Sequence, residues 1–513
     1  MQILELELPD YRGLREFQLD LTQAEQVAVL VGRNASGKSR LLHAIVEIFS
    51  GLRRREHAGF PYRLRYSRGE HTLEVEGDTG RPRPVMRMMR PQSKPAVVRQ
   101  ADWTQHLPDY LFGYQAARES HWDIEFRRHA GNDRSLRRNR RSASPAVTTE
   151  DPSLAPLFQC ELIHLPLILL ALLPQWSEKY GPYVEEVAGI TGFVSADLTI
   201  SRPTWAKGAW YENQPYWGLS GRYPNLFGQL ASSGRYGVLP RFSDPSSYDE
   251  FRVSIQTTED LDALLRFFDS ALNMFATFER LQAEGVLTAE IQLTKADGTR
   301  LTTDDLSSGE QQMLTILGML RLQRGNESLF LLDEPASHFH PAWSQRWYNS
   351  VQEMLEDGQR SQFIASTHDP ALVSNIPREQ IRLFRRQGAK VVADVPDVDP
   401  RGRGVGALLT TELWGLATQL DEDTQKYIDE QHELAGYPDL NDIERDRLQQ
   451  VSEELDKRDF ANERRDPVVS LFLSELARRR QELIEAARSE AIPAAELEAL
   501  VRQLFDERLM QGL

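Results

Sequence analysis

Eight residues, Gly32-Arg33-Asn34-Ala35-Ser36-Gly37-Lys38-Ser39, constrain this chain more than any other stretch. They fit the phosphate-binding loop pattern G-x-x-x-x-G-K-S at every fixed position. The apolar run Val27 to Val31 reads as a buried strand leading in. Leu41, Leu42, Ile45, Val46 and Phe49 follow at helical spacing, so a helix leads out. Strand, glycine loop and helix in that order aim backbone N–H groups and a helix dipole at a phosphate. Lys38 is placed to reach the β- and γ-phosphates of a nucleotide, and the Ser39 hydroxyl to sit on Mg²⁺.

A second set of residues lies far downstream. Leu306-Ser307-Ser308-Gly309-Glu310-Gln311-Gln312 precedes a helical run from Met313 to Leu322. Leu329-Phe330-Leu331-Leu332 then reads as a buried strand, with Asp333 and Glu334 at its C-terminal end. In a parallel α/β sheet that end faces the ligand crevice. Asp333 suits a metal held through water, and Glu334 suits polarisation of an attacking water. Gln362 to Thr367 is another apolar strand, ending at His368.

Taken in this order, the motifs resemble the nucleotide-binding domain of ABC-type ATPases, in the branch of RecF, structural-maintenance-of-chromosomes (SMC) and overcoming-lysogenisation-defect proteins. The resemblance covers a Walker A loop at 32–39, a signature at 306–310, Walker B at 329–334, a D-loop near 336–341 and an H-switch at His368. His338-Phe339-His340-Pro341 is similar to the H-x-H-P of that branch. The opening strand (Ile3, Leu4, Leu6, Leu8) before Tyr11-Arg12-Gly13-Leu14 also resembles its start.

The resemblance implies ATP and Mg²⁺ as cofactors. It implies Gly32, Arg33, Asn34, Ala35, Ser36, Gly37, Lys38, Ser39 and Arg40 as ATP contacts. Ser39, Asp333 and a Q-loop glutamine become metal-side groups. Gln115 is the first choice for that glutamine and Gln159 the second. Glu334, His368 and Lys38 become the catalytic set. Ser307, Ser308, Gly309 and Glu310 would cap the γ-phosphate of a second subunit, which implies a homodimer or higher oligomer with composite sites. Ser308 stands where the family usually has a second glycine. Ser307 with Glu310 also fits a capping box, and both readings can hold at once.

The segment between Ser39 and Leu306 is far longer than a compact transporter ATPase needs, so a large insertion is expected. Tyr62 to Tyr66 and His71 to Val75 alternate around an Arg68-Gly69 turn, which predicts an antiparallel β-lobe. Residues 155–190 read as helical, 201–256 are rich in aromatics and glycine, and Leu261 to Leu281 reads as helix again. Ala289 to Leu293 with Asp297-Gly298 reads as a hairpin. The expected fold class is α/β: a P-loop ATPase head of mixed sheet plus β-lobe, with a large, mainly helical insertion and a helical C-terminal extension. The expected domains are 1–150 (Walker A and β-lobe), 151–288 (insertion), 289–415 (signature, Walker B, D-loop and H-switch) and 416–513 (C-terminal helices).

Composition narrows the function. The chain has 513 residues, one cysteine and a net charge of −16. The charge argues against a nucleic-acid coat over the whole surface. Local exceptions are the arginines of 127–141 (Arg127, Arg128, Arg134, Arg137, Arg138, Arg140, Arg141) and a second set, Arg53, Arg54, Arg55, Arg63, Arg65 and Arg68. Such clusters suit phosphate backbones, while Gly, Asn, Ser and Pro around the first suit a solvated loop. Cys160 alone fits a reducing cytosol. The longest apolar run, Leu165 to Leu173, is too short to cross a bilayer, and no signal peptide opens the sequence. A cytoplasmic protein with no membrane partner is expected.

The insertion shows no long heptad coiled coil, and the sequence shows no HNH pattern or zinc-ligand spacing. Asp394, Asp397 and Asp399 lack the upstream strand-end glutamate of a TOPRIM nuclease, so they read as an acidic loop. Residues 421–465 hold fifteen Asp or Glu against seven Lys or Arg. Apolar stripes at Val468, Phe472, Leu476 and Leu483, and at Leu497, Leu500, Val501, Leu504 and Phe505, suit oligomerisation or docking. A motor without its own effector is similar to the ATPase subunits of bacterial anti-phage systems such as Septu (PtuA). That resemblance implies a sensor or regulator of a separate nuclease or toxin. The alternative is a RecF- or SMC-like repair ATPase that clamps DNA through Arg127 to Arg141.

Overall fold

The computed structural model describes residues 1–89, 94–116, 122, 124–126, 154–175, 180–207, 215–219, 222–232, 235, 237–239, 250–355, 360–435 and 440–458. Two compact units divide the chain, Met1–Gly415 and Leu416–Leu513.

The first unit is built on a seven-stranded sheet. Its order is β18 (Lys390–Asp394), β17 (Ile381–Gln387), β3 (Val27–Gly32), β16 (Gln362–Thr367), β15 (Leu329–Asp333), β8 (Leu111–Gln115) and β9 (Leu157–Gln159). Every pairing is parallel except β17 with β18. Both faces are covered, so the strands are continuous apolar runs rather than alternating ones. Successive side chains still part to opposite faces. Val27, Val29 and Val31 enter one core; Ala28 and Leu30 enter the other. Across the first face Phe112, Phe330 and Phe363 stack in a row, with centroids 4.8 and 4.4 Å apart. The second face carries the helix Lys38–Arg54.

A six-stranded antiparallel β-lobe adjoins this core, in the order β2 (Leu14–Asp20), β1 (Gln2–Tyr11), β4 (Tyr62–Arg68), β5 (His71–Gly77), β6 (Val85–Met89) and β7 (Ala96–Val97). The β4–β5 hairpin closes at Arg68 opposite His71, with Gly69 at φ +56°. Five of the six arginines of the second basic set are engaged here rather than free. Arg63 pairs with Glu74, Arg65 with Glu5, Arg68 with Asp109, and Arg54 with Glu56 and Glu125. Arg53 donates to the carbonyls of Pro108 and Asp109. The sequence showed the cations in a row; their partners come from distant strands. Arg127 to Arg141 lie outside the described residues.

The insertion is helical in the main, with helices at Leu165–Leu172, Gly181–Ala188, Tyr223–Ser232, Thr258–Leu265 and Ala271–Ala283. It also carries strands, which the sequence reading did not foresee. β11 (Gly237–Leu239), β12 (Glu250–Ile255) and β10 (Ile190–Ser201) join β13 (Leu287–Lys295) and β14 (Arg300–Thr302) in one antiparallel sheet. β13 and β14 are the expected hairpin, with Gly298 at φ +83°. The insertion is thus hydrogen-bonded to the strands that lead into the signature.

Burial, only partly offset by Arg280, pushes the Glu279 carboxyl on helix Ala271–Ala283 up to about 7. The folded state therefore holds this proton longer than the unfolded chain does. Stability is lost as pH rises from the ordinary carboxylate range through about 7. Glu279→Gln is expected to raise the melting temperature by a few degrees at about pH 8, with the gap closing near pH 5. Thermal unfolding at the two pH values checks the sign.

In the second unit, helices Glu422–Ala435 and Asp442–Lys457 pack through Ile428, Val451 and Leu455. Asn441 and Glu444 form a capping box, and Arg447 grips Glu430 with two nitrogens. The apolar stripes beyond residue 458 lie outside the described residues.

Candidate functional site

Four neighbouring parallel strands deliver their C-terminal ends to one crevice. β3 ends in the Gly32–Ser39 loop, β16 before His368, β15 at Asp333 and β8 at Gln115. The loop backbone suits its sequence. Gly37 caps the helix at φ +109° and Ala35 sits at φ +61°. A Cβ on Gly32 would lie 2.7 Å from the Phe384 carbonyl, so the loop closes against β17 only with glycine there.

Lys38 folds back into this loop. Its Nζ donates to the carbonyls of Gly32 at 2.7 Å and Arg33 at 3.4 Å. Burial holds the ammonium below the usual lysine range, although Glu334 and Asp333 both pull it upward. An incoming phosphate would replace those carbonyls as the lysine's partner.

Asp333 is the hub of the crevice. One carboxylate oxygen accepts from Ser39 Oγ at 3.0 Å and from Ser366 Oγ; the other accepts from Gln115 Nε2 at 3.2 Å. Gln115 Oε1 is buried and has no hydrogen-bond partner among the described residues. A buried amide oxygen beside a carboxylate and a serine hydroxyl is the hard oxygen set that Mg²⁺ takes. The residues present therefore fit that ion. Gln159 sits opposite Gly113 in the β8–β9 ladder, two residues before Gln115.

Glu334 takes a left-handed backbone, φ +55°. For a non-glycine residue this costs on the order of 1–3 kcal/mol and persists only where neighbours enforce it. Its N–H is held by the Ser366 carbonyl at 3.1 Å. Its carboxylate accepts from the His368 backbone N–H at 3.3 Å and lies 2.8 Å from His368 Nδ1. The turn out of β15 swings Glu334 away from Asp333 and onto the end of β16.

Ser307 caps the helix Ser308–Leu322, and its capping box with Glu310 is present at 3.3 and 2.7 Å. Gly309 has a second reason to be glycine. A Cβ there would stand 2.5 Å from the His338 carbonyl, in the expected D-loop. Gly309→Ala is expected to force that backbone apart, lowering the melting temperature and ATP turnover while ATP affinity stays near wild type. Calorimetry, turnover and nucleotide titration together check this. No hydrogen bond joins Ser307–Glu310 to Gly32–Ser39 among the described residues, so the structure does not bring the signature onto its own loop. Arg33 and Arg40 line the loop's outer side without an ion pair among the described residues.

Two residues at the site escaped the sequence reading. Ser366 becomes visible only once β15 is paired with β16, which puts Asp333 opposite Ser366. Trp414 donates its indole N–H to the His368 carbonyl at 3.0 Å, and nothing in the local sequence signals this.

Comparison with known proteins addresses the same regions. Residues 1–111 match a family model described as an AAA domain. Residues 215–374 match one described as "AAA domain, putative AbiEii toxin, Type IV TA system". Both matched segments are thus similar to AAA-type ATPase domains. Among curated relatives, protein ea59 of Escherichia phage lambda is 27% identical over 134 residues, which is 25% of each chain. The Retron Vc95 probable ATPase of Vibrio cholerae serotype O1 biovar El Tor is 27% identical over 124 residues, covering 22% of this chain and 24% of that one. The alignments thus span about a quarter of each relative. Among solved structures, the SMC head domain from Thermotoga maritima aligns at TM-score 0.34 and 12% identity, over 78% of this chain and all of that one. An SMC head bound to the C-terminal winged-helix domain of ScpA aligns at 0.33 and 12% identity, over 77% and 98%. The described helices include none long and apolar enough to cross a membrane.

Proposed function

We propose that this chain binds and hydrolyses ATP as the sensor or regulatory subunit of a bacterial anti-phage defence complex, controlling a separate effector, a nuclease or another toxin. The chemical half rests on one observation: Lys38, Ser39, Gln115, Asp333, Glu334 and His368 converge at the ends of adjacent parallel strands. Backbone N–H groups of the loop and Lys38 bind the phosphates. Ser39, Gln115 and Asp333 would hold Mg²⁺, which when bound offsets phosphate charge. Glu334 takes the proton of the attacking water, and His368 orients the Glu334 carboxylate.

The signature segment is read as acting on the ATP of a second copy, so the working unit is a homodimer or a higher oligomer in the cytoplasm. The biological half is supported by the likeness to a retron ATPase and to the AbiEii-type domain. A Septu-type partnership with a separate nuclease is the finer form of this reading. Expression with the neighbouring genes, followed by pull-down and mass determination with and without ATP, tests it. A stable complex with a nuclease-like or toxic protein is expected. A chain that stays solitary and captures duplex DNA only with ATP would move the assignment to a repair clamp. The pairing of Arg53, Arg54, Arg63, Arg65 and Arg68 leaves the clamp dependent on Arg127 to Arg141.

A further inference from the structure

The His368–Glu334 pair is aimed from behind by a residue outside all the motifs. His368 is held on both sides of its own main chain. Its N–H goes to Glu334 Oε2 at 3.3 Å, and its carbonyl accepts the Trp414 indole N–H at 3.0 Å. The imidazole itself is 59% exposed, so little else packs around it. That ring reaches Glu334 through Nδ1 at 2.8 Å, so its aim is set by where its main chain stands. The two backbone bonds supply the fixed point.

Trp414 is itself well anchored. The indole is half-buried and packs against the larger core. The backbone N–H groups of Trp414 and Gly415 both donate to the Thr411 carbonyl, at 3.3 and 2.7 Å. The preceding Glu412 ties this turn to the sheet. It accepts from Arg385 on β17 at 2.9 Å and from the backbone N–H groups of Asp397 and Val398 at 2.5 and 3.3 Å. Gly415 takes φ +66°, and a Cβ there would stand 3.4 Å from the Arg33 guanidinium of the phosphate loop, at van der Waals distance. The turn 411–415 therefore bonds to His368 and passes beside the Arg33 side chain of the phosphate loop.

We propose that Trp414 is a positioning residue for the hydrolytic step: its indole N–H fixes the main chain of His368 and so sets the aim of the His368–Glu334 pair. The inference rests on the ATPase reading above. Trp414 spends its indole N–H on the His368 carbonyl, so it acts through His368, on turnover rather than on ATP binding. A lost hydrogen bond of this kind, with the small misplacement that follows, corresponds to about a tenfold loss of rate.

Steady-state hydrolysis and ATP affinity are measured for wild type, Glu334→Gln, His368→Ala, Trp414→Phe, and the double variant His368→Ala with Trp414→Phe. Trp414→Phe keeps a ring in the core and removes only the donor. It is expected to lower kcat about tenfold, leave ATP affinity within about twofold, and add nothing in the His368→Ala background. Trp414→His, which keeps a ring N–H, is expected to recover part of the loss. Wild-type kcat in Trp414→Phe overturns the proposal, as does an equal loss with and without His368. In both cases a dead Glu334→Gln leaves the ATPase reading standing. Hydrolysis that ignores Glu334→Gln overturns both. If Trp414→Phe melts far below wild type, the comparison of Trp414→His with wild type carries the same kcat-against-affinity test.

Discussion

Glu334→Gln is expected to keep ATP bound and slow its hydrolysis by about 10²-fold or more. The substitution preserves shape and leaves every phosphate-side contact in place. Lys38 still faces Gly32, and Ser39 and Gln115 still face Asp333. An amide oxygen can still accept from the His368 N–H. What disappears is a group able to take a proton, and the negative charge opposite His368 Nδ1 at 2.8 Å. Phosphate release should collapse while nucleotide affinity holds or rises, and an assembly dependent on ATP should accumulate. The pairing of single-turnover phosphate release with equilibrium nucleotide binding checks this. Turnover at the wild-type rate would place the base elsewhere, and the left-handed backbone at Glu334 would then need another explanation.

Much of this site was legible in the chain because its groups sit at the ends of apolar runs. Val27–Val31, Leu329–Leu332 and Phe363–Ala365 are each too apolar for a solvated face, so each belongs inside a parallel sheet, and the residues that follow each are delivered to one edge. Gln115 was harder. Its run, Leu111 to Tyr114, is interrupted by Gly113, whose Cβ would clash with Phe126 at 2.5 Å. Only the β8–β15 register sets Gln115 opposite Asp333. Ser366 and Trp414 were not legible at all, since each acts through a neighbour many residues away. The insertion's sheet was missed for a related reason. β10 alternates only partly, because its outer face carries residues such as Asp197 and Thr199 that also occur in loops. The row of arginines at 53–68 misled in the opposite direction. Sequence displays like charges side by side, whereas folding set Glu74, Glu5 and Asp109 against them.

Lys38→Ala is expected to abolish measurable ATP binding, a loss of about 10²-fold or more in affinity, since a charge-assisted bond to phosphate has no substitute in the loop. The signature differs from that of Glu334→Gln, which separates binding from chemistry. Loss of the ammonium also takes away the side-chain donor to the Gly32 carbonyl and a buried cation that Asp333 and Glu334 favour. The folded chain should survive this, because the β3 core of Val27, Val29 and Val31 does not involve the side chain. ATP with Mg²⁺ should raise the melting temperature of wild type and of Glu334→Gln, by linkage of binding to folding, but not that of Lys38→Ala. If Lys38→Ala kept the full ATP-dependent shift, phosphate would be held somewhere other than Gly32–Ser39. The lysine's bonds to its own loop would then be purely structural. If it lost the shift and kept its fold, the exchange of loop carbonyls for phosphate at Lys38 would be the first step at this site.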